Sequence, residues 1–136
     1  MRASAQERLD GLMANFVRSV PGVAQALALS DDGLVMARCP GLGGGAAERL
    51  SAVASALSGL AWGAVGQAGG GRVENIMVVM ENALLLVSTV ADGSQLAVVA
   101  APTCDVDLVA YEMGLLSRRC GEVLTPEQRA NPVEAR

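Results

Sequence analysis

Gly41-Leu42-Gly43-Gly44-Gly45-Ala46 has the G-x-G-x-x-G/A spacing with which a loop between a strand and a helix cradles a dinucleotide pyrophosphate. That chemistry needs a parallel β-α-β unit and an acidic residue about 20 positions on. Here the preceding strand reads as one arm of a hairpin, and after Glu48 no acid occurs until Glu74. The run is read as a connection, and no cofactor is expected. The chain has no histidine, and its 10 basic residues are all arginine. Without histidine there is no Ser-His-Asp or Cys-His machinery, and the commonest metal ligand is missing. Without lysine neither glycine run can be a Walker loop, and Schiff-base chemistry is excluded. Cys39, Cys104 and Cys120 form no Cys-x-x-Cys pair. Their odd number, with no secretory leader, suggests reduced thiols in the cytoplasm. Asp31 and Asp32 suit a turn, and Asp105 and Asp107 a helix start. No catalytic, cofactor-binding or metal-binding residue is assigned, and an enzyme is not expected.

Composition narrows the partners. The 136 residues are 51% hydrophobic, 2% aromatic and 18% charged, with net charge -4. Ala, Val, Leu and Met must build the core of a single domain over residues 1–124, followed by a polar, fraying tail over 125–136. The acidic balance and the scarcity of stacking aromatics argue against nucleic acid. Between Arg72 and Arg118 every charged residue is acidic, which reads as solvation of edges and turns, with steering of a basic partner as the other use. No charge lies between Arg49 and Arg72. That stretch is rich in Ala, Gly and Ser with few leucines, and reads as a covered helix of a soluble protein, not a membrane span.

The elements that position these residues follow in order. Ser4-Ala5-Gln6-Glu7 is a capping box, and Leu9, Leu12, Met13, Phe16, Val17 and Val20 continue at helical spacing. Pro21-Gly22 ends that helix. Val23 to Ser30 and Leu34 to Arg38 are predicted hairpin strands about Asp31-Asp32-Gly33. A long helix spans roughly Ala46 to Gln67, closed by Gly69-Gly70-Gly71. Strands are expected over Arg72 to Met80, Ala83 to Ala91 and Gln95 to Ala101, and Asp105 caps a last helix. The fold class is α+β: an antiparallel five-stranded sheet with helices on both faces, in the order α-β-β-α-β-β-β-α.

At about 100° per residue the long helix sorts into three stripes. Leu50, Val53, Leu57, Leu60 and Ala64 are expected to lie on the sheet. Ala52, Ala56, Gly59, Gly63 and Gly66 form a stripe of very small residues. Glycine within a helix costs about 1 kcal/mol relative to alanine, and close helix–helix approach is the usual compensation. Ala52, Ala56, Gly59 and Gly63 are therefore assigned to a homodimer contact, although compositional bias alone would also give such a stripe. Ser51, Ser55, Ser58 and Trp62 form the third stripe, expected to face a partner, with burial of Trp62 under the following loop as the other reading. The strand from Val73 to Met80 is apolar on both faces, as in a sheet interior, yet it begins a meander and so has an edge to fill. Val73, Ile76, Met77 and Val78 join the expected dimer contact.

Val20-Pro21-Gly22-Val23 followed by Ser30-Asp31-Asp32-Gly33-Leu34 resembles the opening of the Roadblock/dynein light chain domain. Glu48-Arg49-Leu50-Ser51-Ala52 resembles the start of that family's long second helix, and Leu96-Ala97-Val98-Val99-Ala100 and Tyr111-Glu112-Met113 its last strand and helix. The resemblance covers about residues 5–124 and is of the actinobacterial type that accompanies a Ras-like GTPase. It implies a homodimer sharing one sheet through the strand from Val73 to Met80, with the two long helices side by side. It also implies a platform for a small Ras-like GTPase, in which Ser51, Ser55, Ser58 and Trp62 would be the GTPase contact, and a sensor kinase-like protein of the same operon as a further partner. A gliding-motility relative activates GTP hydrolysis by reshaping its partner's active site and not by donating an arginine. The expected function is thus a non-catalytic homodimeric regulator or scaffold, cytoplasmic, and recruited to membranes only through partners. The alternative is a small-molecule or signal-sensing module of a bacterial signalling complex.

Overall fold

The computed structural model describes residues 4–90 and 93–124, so the expected tail over 125–136 lies outside the described residues. The first helix, α1 (Ala5–Ser19), opens on the expected capping box: the Glu7 N–H donates to Ser4 Oγ at 3.0 Å, and the Ser4 N–H donates to Glu7 Oε1 at 3.2 Å. Leu9, Met13 and Phe16 recur at helical spacing and are buried. The chain leaves α1 through Gly22, whose φ is +88°. A Cβ there would stand 2.7 Å from the Cβ of Cys104, so both conformation and space require glycine.

Five strands follow in the expected order: β1 (Val23–Leu29), β2 (Val35–Arg38), β3 (Asn75–Val79), β4 (Leu84–Thr89) and β5 (Gln95–Ala100). The sheet order is β2-β1-β5-β4-β3, with every pairing antiparallel. Most of β4 and β5 is buried at consecutive residues, which requires cover on both faces. On one side α1 packs on β1 and β2 and against the last helix, α3 (Val106–Val123). The small buried residues Ala26, Ala28 and Ala37 let α1 approach. The Leu108 N–H donates to the Asp105 carboxylate at 3.1 Å and so caps α3 as expected. Met13, Leu27, Leu29, Val98, Val109 and Met113 are the large side chains at the centre.

The long helix, α2 (Gly44–Ala68), packs on β1, β2, β3 and β5. It begins inside the glycine run and ends on Gly69, whose φ is +62° and whose N–H donates to the Val65 carbonyl at 2.9 Å. Its rotation differs from expectation. Ala47, Ser51, Ala54 and Ser58 are the buried residues. Leu50 and Leu57 are half-buried flanks, while Val53 and Leu60, expected on the sheet, are exposed. The cause is a close approach to the β1–β2 turn. Ser51 Oγ donates to the Gly33 carbonyl at 2.6 Å, and a Cβ on Gly33 would lie 3.1 Å from Ser55 Oγ. Only small side chains fit at that distance, so the serines take the sheet side and the leucines turn away.

Helix and sheet also differ in size. The 25 residues of α2 span roughly 37 Å at 1.5 Å per residue. Five strands about 4.8 Å apart make a sheet only about 19 Å across between its outer strands. Burial in α2 stops at Ser58, and the stretch from Gly59 to Ala68, roughly 15 Å long, has no buried residue.

Candidate functional site

The two sheet edges are built differently. At the β2 edge the register shifts between Ala28 and Leu29, so that Met36 has no partner residue. Two outward groups of this short, bulged strand are occupied by side chains of α1. Gln6 Nε2 donates to the Met36 carbonyl at 2.7 Å and to Asp10 Oδ1 at 3.1 Å, and the Arg38 N–H donates to Asp10 Oδ1 at 3.2 Å.

At the β3 edge five successive residues pair with β4 without a shift. The Met80 N–H donates to the Ala83 carbonyl and the Thr89 N–H to the Glu74 carbonyl, which fixes the direction of every peptide group between. Backbone groups alternate along a strand, so those of Ile76 and Val78 face β4 and those of Asn75, Met77 and Val79 face outward. Met77 is 52% and Val79 69% exposed. The strand whose apolar faces suggest a sheet interior is thus the outer strand: Ile76 and Val78 on one face are half-buried against the core, while Met77 and Val79 on the other are uncovered.

The overhanging half of α2 adjoins this edge. Leu60 is 76% and Trp62 53% exposed. Trp62 sits one turn past Ser58, on the sheet side of the helix. Ala52, Ala56, Gly59, Gly63 and Gly66 are all exposed, and a Cβ at any of the three glycines would meet nothing within 4 Å. Nothing in the protomer explains glycine at those positions.

The assigned dimer residues therefore divide. Ala52, Ala56, Gly59, Gly63 and Met77 are exposed, while Ile76 and Val78 are half-buried. Val73 lies before β3, half-buried, and its carbonyl accepts from Thr89 Oγ1 at 2.7 Å, so it is tied to β4 and not to the edge. The serine surface is a correction. Ser51 and Ser58 are buried under α2, Ser55 is half-buried beside Gly33, and only Trp62 of the four is open to solvent. They do not form one contact surface.

The residues weighed for chemistry stay apart. The strands before and after the glycine run and α2, β2 and β3, lie at opposite edges of an antiparallel sheet, so the run opens no β-α-β unit of neighbouring parallel strands. Asp32 accepts from Ser30 Oγ within the turn. Cys39 and Cys120 are buried and Cys104 half-buried, and none of the three is in a disulfide. Among the described residues no group of three His, Cys, Asp or Glu could hold a metal ion, and no helix is long and apolar enough to cross a membrane. Gln6 and Asp10 were not singled out by sequence. Their only signal is an i, i+4 polar pair, common on any solvated helix face.

The Roadblock/LC7 domain family matches the chain over residues 9–100. A crystal structure of a Roadblock/LC7 domain from Streptomyces avermitilis is 37% identical, with TM-score 0.79, covering 83% of this chain and 94% of that one. A second Roadblock/LC7 domain structure from the same organism is 31% identical, with TM-score 0.69, covering 82% and 97%. The gliding protein mglB of Thermus thermophilus shares the fold at 16% identity and TM-score 0.75, covering 90% and 93%. No curated protein matches the sequence significantly. With its match running from α1 through β5, the chain belongs to the Roadblock/LC7 domain family.

Proposed function

We propose that the chain is a non-catalytic homodimer that regulates or scaffolds a small Ras-like GTPase. The observation that carries the self-association is the uncovered surface where the β3 edge meets the overhanging half of α2. An apolar, unbulged edge strand without charge is what proteins otherwise avoid, and a two-fold pairing of β3 with its own copy would continue the sheet beneath the overhang. In that arrangement Trp62, on the sheet side of α2, joins the self-contact. The flank bearing Ala52, Ala56, Gly59 and Gly63 receives the second α2 at close range. One structural neighbour in this fold is described as "MglB with tetrameric arrangement", which supports self-association in chains of this shape.

The GTPase reading rests on family membership, since the family likeness implies such a partner. Val53 and Leu60 are exposed on the side of α2 away from the sheet, bordering the small-residue flank, and form the partner-facing surface. They take the place of the serines. A sensor kinase-like partner and recruitment to membranes would follow from the same role. The test is a pull-down with the GTPase encoded beside the chain, in GDP and GTP states, together with sedimentation of the chain alone. A dimer that retains the GTPase in one nucleotide state supports the proposal; a monomer with no binding in either state overturns it.

A further inference from the structure

We propose that Gln6 and Asp10 act together as a surrogate strand that closes the β2 edge, so that edge-to-edge association of this chain stops at two copies. The inference rests on the proposed pairing through β3. A protomer with two open edges would pair at both and grow into an open ladder, because each new copy would carry a free edge forward. The two groups that an added strand would engage first, the Met36 carbonyl and the Arg38 N–H, are taken by Gln6 Nε2 at 2.7 Å and Asp10 Oδ1 at 3.2 Å. The bond from Gln6 Nε2 to Asp10 Oδ1 at 3.1 Å ties the pair together. Their spacing of one helical turn places both side chains along the strand, a donor opposite the carbonyl and an acceptor opposite the amide. The missing partner of Met36 and the exposed Arg38 add two further devices that blunt an edge. At β3 the outward groups of Asn75, Met77 and Val79 meet no such side chain among the hydrogen bonds of the described residues. The protomer is therefore directional: one edge closed from within, one left for its copy.

The test is sedimentation equilibrium of the full chain over a wide concentration range. Wild type should hold at twice the chain mass. The Gln6→Ala, Asp10→Ala double variant should rise past that value with concentration, and Asp10→Asn, which keeps the acceptor, should not. Adding Met77→Pro to the double variant should return the limit to two copies, now joined through β2. A folded double variant that stays at two copies throughout overturns the proposal. If it loses its helical circular dichroism, Gln6→Glu is read in its place: it keeps the helix but turns a carboxylate on the Met36 carbonyl. A dimer that survives Met77→Pro alone overturns the β3 pairing, while the closed β2 edge is still read from the growth of the double variant.

Discussion

The Ser51 hydroxyl donates to the carbonyl of Gly33 at 2.6 Å, across 18 positions of sequence. Ser51 is fully buried, so this bond lies where α2 comes closest to the β1–β2 turn, the approach whose small side chains set the rotation of the helix. Removing the hydroxyl leaves a partly buried carbonyl one partner short, a loss of about 1–2 kcal/mol. Ser51→Ala should lower the urea midpoint accordingly, without altering the slope. An unchanged midpoint would show that the helix is set by packing alone.

Gly22 is the more severe position. Alanine there combines a positive φ with a Cβ placed 2.7 Å from that of Cys104. Strain and overpacking together should cost about 2–4 kcal/mol. Thermal unfolding of Gly22→Ala reads this directly, and Gly41→Ala is the comparison. Gly41 has φ +89° with open space around it, so its loss should be the smaller by the overpacking share.

Proline distinguishes the two sides of β3. Met77→Pro removes an outward amide and no bond to β4, so the folded protomer should survive as a monomer. Val78→Pro removes an inward amide of the β3–β4 ladder, leaves its carbonyl partner on β4 unpaired, and should destabilise the fold by about 1–3 kcal/mol. Equal stability losses in the two variants would overturn the alternation of backbone groups along this strand.

Gly59→Leu with Gly63→Leu should leave the monomer's circular dichroism intact, because side chains at these positions meet nothing in the protomer, yet it should abolish the dimer by sedimentation. A dimer of unchanged affinity would reassign that flank to solvent.

Leu60→Asp separates the two proposed contacts. It should eliminate GTPase retention in the pull-down and leave the dimer mass unchanged. Trp62→Ala should do the reverse, weakening the dimer first, and dilution of wild type should red-shift the tryptophan emission. A Trp62→Ala variant that stays dimeric but loses the GTPase would return Trp62 to the partner surface.

The order of elements was legible because turn chemistry punctuates this chain clearly. Ser4 with Glu7, Asp105, Gly69 and Pro21-Gly22 each marked an end that the structure keeps. The strands were expected too long, by as many as four residues at β3, because the extended chain at either end of a ladder reads like the strand itself. The setting of α2 was not legible. In a helix of Ala, Gly and Ser with no charge after Arg49, no strongly polar face opposes the leucines, and size at the Gly33 turn chose the buried side. Size favoured Ser51 and Ser58 over Val53 and Leu60. Nor was the place of β3 legible from its own residues. An outer strand with an open edge can carry the same apolar pattern as an inner one. Gln6 and Asp10 escaped notice for the opposite reason, since two polar residues on an amphipathic helix look merely solvated until the strand beside them is seen.

The mismatch between α2 and its sheet has a consequence for how the chain resists unfolding. Amides up to Ser58 are backed by the core and should exchange with solvent only through global opening, whereas those from Gly59 to Ala68 have no such backing and should exchange by local fraying. One continuous helix would then carry two levels of protection, meeting near Ser58. If a second copy covers the far half, the two levels converge as concentration rises, so hydrogen exchange along this single helix would measure how much of the chain is assembled.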